Sequence, residues 1–204
     1  MAGPDRPGEK DGMSGEMREE KSALRRRIRD HLQSLSLFER REASNRACFR
    51  LQQEEIWRQA RCVLLYSPLP DELDIGPLLA EALATGKALA LPRFDETQRA
   101  YSACRVADPA DLRKARFGVL EPDPACPEVP LNRLDFVAVP GVAFTLDGRR
   151  LGRGKGFYDR LLASVGGIKC GVAFEQQIVD DMPVEPHDIR LDYILTPTRW
   201  CRMD

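Results

Sequence analysis

Cys62-Val63-Leu64-Leu65-Tyr66 is the stretch on which the fold turns. It is continuously apolar, without the alternation of a strand that faces water on one side. That pattern marks a strand covered on both faces, as in a parallel sheet flanked by helices. Asp135-Phe136-Val137-Ala138-Val139 repeats it, and Lys87–Leu91 (ended by Pro92), Tyr101–Val106, Lys169–Phe174 and Leu191–Leu195 complete the predicted strands. Between them, Ile75, Leu78, Leu79, Ala82 and Leu83 fall at helical spacing and stop near Gly86. Asp108–Arg113 predicts a short helix, Glu121–Pro130 a proline-rich loop, and Phe157 to about Ser164 another helix. Strands alternating with helices indicate an α/β fold with a mostly parallel sheet and right-handed crossovers.

Upstream, Leu24, Ile28, Leu32 and Leu35 line one face of a helix from about Arg18. Ser36-Leu37-Phe38-Glu39 matches a capping box and opens a second helix running to about Trp57. Residues 1–16 are polar and rich in glycine, proline and charge, and read as a disordered leader. Residues 17–204 form one domain, a helical pair followed by the sheet.

Composition narrows the function. The 204 residues carry a net charge of −1, with 43% hydrophobic and 31% charged residues, so the chain is not a nucleic-acid-binding polycation. No run reaches the ~18 apolar residues of a membrane span, and no signal-peptide core opens the chain. The six scattered cysteines lack a C-x-x-C pair, and His31 and His187 have no ligand spacing. Reduced cysteines, no zinc site and a cytoplasmic location are the expectation.

Positive charge concentrates instead in Gly148-Arg149-Arg150-Leu151-Gly152-Arg153-Gly154-Lys155-Gly156-Phe157-Tyr158-Asp159. Glycines let backbone N–H groups approach an anion, and a helix follows at once. The loop is neither a Walker A motif, since Gly156 and Phe157 follow Lys155, nor G-x-G-x-x-G. Other readings stay open nearby. Asp159 either complements the helix dipole or serves as a Mg²⁺ ligand beside phosphate oxygens. Asp192 is its partner or a strand-end residue, Glu72 a site carboxylate or an ordinary helix-start acid. Lys21 and Arg25, one helical turn apart, read equally as a solvated stripe.

The chain resembles the 5-formyltetrahydrofolate cyclo-ligases (methenyltetrahydrofolate synthetases). The resemblance rests on Pro140-Gly141-Val142-Ala143-Phe144, Asp147-Gly148 and Arg150 through Asp159. Lys21-Ser22-Ala23-Leu24-Arg25, the Glu72 segment, Pro92-Arg93-Phe94 and Phe117-Gly118 leading to Glu121-Pro122 support it more weakly, over roughly residues 18 to 197. It implies a three-layer α/β/α sandwich and ATP- and Mg²⁺-dependent conversion of 5-formyltetrahydrofolate to the 5,10-methenyl compound, ADP and phosphate.

By the same resemblance, Lys21, Ser22, Ala23, Leu24 and Arg25 bind ATP together with Arg150, Leu151, Gly152, Arg153, Gly154, Lys155, Gly156, Phe157 and Tyr158. Glu72, Arg93, Phe117 and Gly152–Gly156 contact the folate. Asp159 and Asp192 hold the metal, and Glu72, Arg153 and Lys155 are catalytic. The only partner implied is the small folate substrate, with no nucleic acid, no membrane and a monomeric chain. Phosphoryl transfer needs positioning and charge stabilisation more than a covalent enzyme group, which suits a site of cations and metal without a nucleophile. Two departures touch the folate side. Tyr101-Ser102-Ala103-Cys104 stands where many members carry a methionine-containing segment, and Phe117 where some have tryptophan. The rival readings are a non-catalytic folate or nucleotide binder and a ligase acting on another heterocycle; an RNA-binding role lacks an extended basic stripe.

Overall fold

Alternate residues of the central strands pack into two separate cores, which is why those strands are apolar throughout. In the computed structural model, which describes residues 9–115, 118–185 and 188–203, the strands are β1 (Cys62–Leu64), β2 (Ala88–Asp95), β3 (Ala100–Val106), β4 (Leu112–Lys114), β5 (Leu120–Pro122), β6 (Phe136–Val139), β7 (Ala143–Phe144), β8 (Arg150–Leu151), β9 (Ile168–Val172), β10 (Tyr193–Leu195) and β11 (Trp200–Arg202). The helices are α1 (Glu9–Gln33), α2 (Leu37–Gln53), α3 (Glu55–Gln59), α4 (Gly76–Ala84) and α5 (Phe157–Leu162). On one face Val63, Leu65, Leu89, Leu91, Phe136 and Ala138 meet Leu24, Ile28, Leu51 and Leu78 from α1, α2 and α4. On the other, Leu64, Ala90, Val137, Val139 and Ile194 meet Phe144, Leu161 and Leu162. The result is the three-layer α/β/α arrangement, with Trp57 edge-on to Phe136 at 5.6 Å in the first core.

The main sheet runs β11-β10-β9-β6-β1-β2-β3, parallel except for the edge strands β3 and β11. The chain steps from β1 toward β2 on one side and uses β6, β9 and β10 on the other. The crevice beyond the carboxyl ends of β1 and β6 is therefore the switch point where open α/β sheets take ligands.

Local chemistry accounts for the differences from expectation. α1 starts at Glu9, so residues 9–16, assigned to a leader, are helical. Residues 1–8 lie outside the described residues. The capping box forms, with Ser36 Oγ accepting from Glu39 N and a Glu39 carboxylate oxygen accepting from Ser36 N. The second helix breaks at Glu54, giving two helical segments before β1.

Pro92 does not end β2. It pairs opposite Ala103, whose carbonyl accepts from Val129, and β1 has already stopped at Leu64, so no partner needs the missing N–H. Asp108–Arg113 is a 3₁₀ turn over Pro109–Asp111 that runs into β4, which pairs with β5. α5 ends at Leu162.

Candidate functional site

Every loop of the site leaves the carboxyl edge of the sheet. After β6, Pro140-Gly141 leads into the β7–β8 hairpin, whose return strand delivers the glycine–arginine loop. Gly154 and Gly156 have φ of 94° and 63°, left-handed values that only glycine adopts without strain. Among the described residues, no backbone N–H from Gly152 to Gly156 has a hydrogen-bond acceptor. Arg153, Gly154 and Lys155 are exposed and Gly152 and Gly156 half-buried, so these donors face solvent. With only six residues in α5, the helix dipole contributes little. What the loop offers an anion is these donors and the cations around them.

Those cations are not equivalent. Arg25, from α1, donates through Nε to Gly152 O at 2.9 Å, and burial lowers its guanidinium pKa. Arg153 Nη2 lies 2.6 Å from Asp71 Oδ1 and 3.0 Å from Glu72 Oε1. Burial opposes its charge, but the hydrogen bonds it donates to these carboxylates, together with their charges, outweigh it and raise its pKa. Lys155 is exposed and has no ion pair among the described residues; its ammonium sits 5.8 Å from the Phe157 ring centroid. Lys21 is buried and committed, with Nζ 2.7 Å from Glu185 and 3.3 Å from Asp188.

Several sequence-derived assignments are redrawn by these contacts. Arg150 is turned inward and paired within the chain: its side chain is 3% exposed, with Nη2 on Asp159 Oδ1 at 2.6 Å and Nη1 on Pro140 O at 3.3 Å. Leu151 and Leu24 are core residues, Ser22 Oγ accepts from Arg26, and Ala23 lines a cleft with Glu20, Arg27 and Asp181. Arg93 Nη1 donates to the carbonyls of Asp123, Pro124 and Cys126, anchoring the proline-rich loop.

Asp192 precedes β10 at the amino edge of the sheet, where its carboxylate accepts from Lys169 N at 2.7 Å. Asp159 is held by Arg150 on the carboxyl-edge side. The structure therefore does not bring the two expected metal ligands together: they stand at opposite edges of the sheet. Phe117 lies outside the described residues.

Glu72 is the centre of the folate-side candidates. It follows β1, its side chain is 8% exposed, Oε2 accepts from Leu69 N at 3.0 Å, and burial pushes its carboxyl pKa up against the pull of that N–H and Arg153. Around it stands an aromatic cluster in which Phe157 and Tyr158, expected as nucleotide contacts, meet Phe94 and Tyr101. Phe94 packs on Phe157 at 4.9 Å, and Tyr101 meets Phe157 and Tyr158 at 5.8 Å each. Tyr158 and Tyr101 are raised by burial first, and the Glu72 charge adds to both. Glu121, raised by burial, accepts from Phe94 N. Asp71 and Glu121 were missed as well; Asp71 adjoins Glu72 in one acidic segment, which was the available signal.

The fold and this loop define an open α/β protein with a glycine- and cation-rich loop beside a cluster of aromatic and carboxylate side chains at the sheet's switch point. Residues 17–197 match the model of the 5-formyltetrahydrofolate cyclo-ligase family. A 5-formyltetrahydrofolate cyclo-ligase of Escherichia coli is 32% identical over 177 residues, 84% of this chain and 97% of that protein. One from Mycolicibacterium smegmatis is 39% identical over 94 residues, so there the match spans 48% of the relative. The NMR structure of Aquifex aeolicus 5,10-methenyltetrahydrofolate synthetase aligns with a TM-score of 0.81 at 39% identity, over 90% of this chain and 92% of that one. The chain belongs to the 5-formyltetrahydrofolate cyclo-ligase family, ligases of folate one-carbon metabolism.

Proposed function

We propose that this chain closes 5-formyltetrahydrofolate to 5,10-methenyltetrahydrofolate with consumption of ATP and Mg²⁺. The observation that carries this reading is the glycine–arginine cradle, five backbone N–H groups without an acceptor among the described residues and with Lys155 and Arg153 beside them, placed next to buried Glu72 and its aromatic neighbours. The formyl oxygen is a poor leaving group; the nucleotide supplies the phosphoryl group that makes it a good one. N10 then attacks the activated carbon, the C–O bond breaks, phosphate leaves, and the N10 proton is lost.

The residues divide this work. The Gly152–Gly156 N–H groups and Lys155 hold the phosphates, where preorganised donors stabilise charge as it moves. Arg153 reaches between phosphate and folate. Glu72 contacts the folate near its formyl group, and Phe94, Tyr101 and Phe157 give the pterin ring a surface to stack on. Arg25 fixes the cradle through Gly152 O, and Arg150 supports it from below.

Asp159 retains one carboxylate oxygen without a partner among the described residues. A single carboxylate with phosphate oxygens suits Mg²⁺. Bound there, the ion supplies charge neutralisation of the phosphates. The unit we propose is the monomer, as the family resemblance implies. No helix among the described residues is long and apolar enough to cross a membrane.

The test is direct: purified protein is mixed with ATP, Mg²⁺ and 5-formyltetrahydrofolate, and the absorbance of the methenyl product is followed. ATP-dependent growth of that absorbance is expected. Folate binding without product would turn the reading toward a binding protein, and absence of folate binding toward another heterocycle.

A further inference from the structure

Arg153 is the one cation of the cradle that reaches across the crevice, and it is held there by two carboxylates more than 80 residues away in sequence. Both use the same nitrogen. Nη2 lies 2.6 Å from Asp71 Oδ1 and 3.0 Å from Glu72 Oε1, while Nη1 and Nε have no acceptor among the described residues. A guanidinium carries five N–H donors in a rigid fork. Anchoring one corner fixes the plane and leaves three donors aimed elsewhere.

The two anchors differ in what else they must do. Glu72 already accepts from Leu69 N and is nearly enclosed, with Tyr158 and Tyr101 of the aromatic cluster near it. In the reading above it also contacts the substrate. Asp71 is about one-third exposed, has no other partner among the described residues and makes the shorter contact. Stability does not account for the Asp71–Arg153 pair, since ion pairs this exposed add little. Without a second anchor, a long side chain on a glycine-rich loop would lose its direction whenever Glu72 turned to the substrate, and misplacement of a charge-stabilising group costs rate.

We propose that Asp71 is a positioning residue for the ring-closing reaction: it holds Arg153 Nη2 at the crevice so that Nη1 and Nε stay directed at the transferring phosphoryl group while Glu72 serves the folate. This inference rests on the cyclo-ligase reading, and it extends the site to a residue that touches neither ligand.

The test is steady-state kinetics on the full chain. Asp71→Asn should lower kcat by ten-fold or more with KM for 5-formyltetrahydrofolate within about three-fold of wild type. Asp71→Glu should recover most of the loss, because a carboxylate is restored within reach. In an Arg153→Ala background, Asp71→Asn should change kcat by less than two-fold, since its only route of action is gone. An unchanged kcat in Asp71→Asn, a loss expressed in KM alone, or a full additional loss in the Arg153→Ala background would overturn the proposal. A wild-type protein that makes no methenyl product would instead overturn the reading on which the proposal rests.

Discussion

Replacing Arg150 by Met should destabilise the protein by about 3 kcal/mol. Its side chain is 3% exposed, and its guanidinium holds Asp159 at 2.6 Å and Pro140 O at 3.3 Å. Met keeps much of the stem's volume, so the loss is electrostatic. It leaves a carboxylate, 17% exposed, and a carbonyl without their donor. Breaking a buried pair from one side costs about 3–5 kcal/mol. Residual water at Asp159 places this case at the lower end, with about 1 kcal/mol for the carbonyl offset by better apolar packing of Met.

In a chain of this length each kcal/mol moves Tm by about 2–4 °C, so the variant should melt roughly 10 °C below wild type. Urea unfolding followed by circular dichroism gives the free energy directly. Asp159→Asn in the same background removes the orphaned charge, and the double variant should regain about 1–2 kcal/mol over Arg150→Met. A Tm loss under 2 °C, or a double variant no more stable than the single, would refute the buried-strut reading and return Arg150 to the anion site.

Other predictions concern the site more directly. Lys155→Ala should lower kcat about 100-fold and leave Tm unchanged, because its ammonium touches only the Phe157 ring; near-normal turnover would remove it from the phosphate cradle. Glu72 has a pKa raised by burial, so its ionisation opposes folding: the stability it allows is fully present below the unfolded-state value and declines as pH rises through the raised one. Relative to wild type, Glu72→Gln should therefore gain Tm between pH 4 and pH 8 while losing activity, and a pH-independent Tm difference would contradict the sign. Gly141→Ala would set a Cβ 2.6 Å from Phe144 Cζ and 3.1 Å from Arg150 Cγ. Overpacking of this kind costs about 1–3 kcal/mol, and a wild-type urea midpoint would show that the Phe144 ring can move aside.

How much of this was legible beforehand depends on the range of the interaction involved. Burial of Val63 and Leu64 on opposite faces is written into a local run of apolar residues, so the sheet and its helical layers could be read directly. The capping box at Ser36 and Glu39 is equally local, and it formed as read. The β7–β8 hairpin escaped because its strands are two residues each, although Asp147-Gly148 is a turn signal.

The site was legible as a chemical inventory, but the pairings were not. A cation-rich loop announces an anion, yet nothing local distinguishes Arg153, which points across the crevice to Asp71 and Glu72, from Arg150, which turns beneath the loop to Asp159. The difference is set by position, Arg150 within β8 and Arg153 in the loop beyond it, and by what lies 9 or 82 positions away. Asp159 and Asp192 show the same limit. Each is an acid at the end of a regular element, but one belongs to the carboxyl edge of the sheet and the other to its amino edge. Only strand direction separates them, so a metal assignment that needs two carboxylates on one ion has to be made on the assembled sheet.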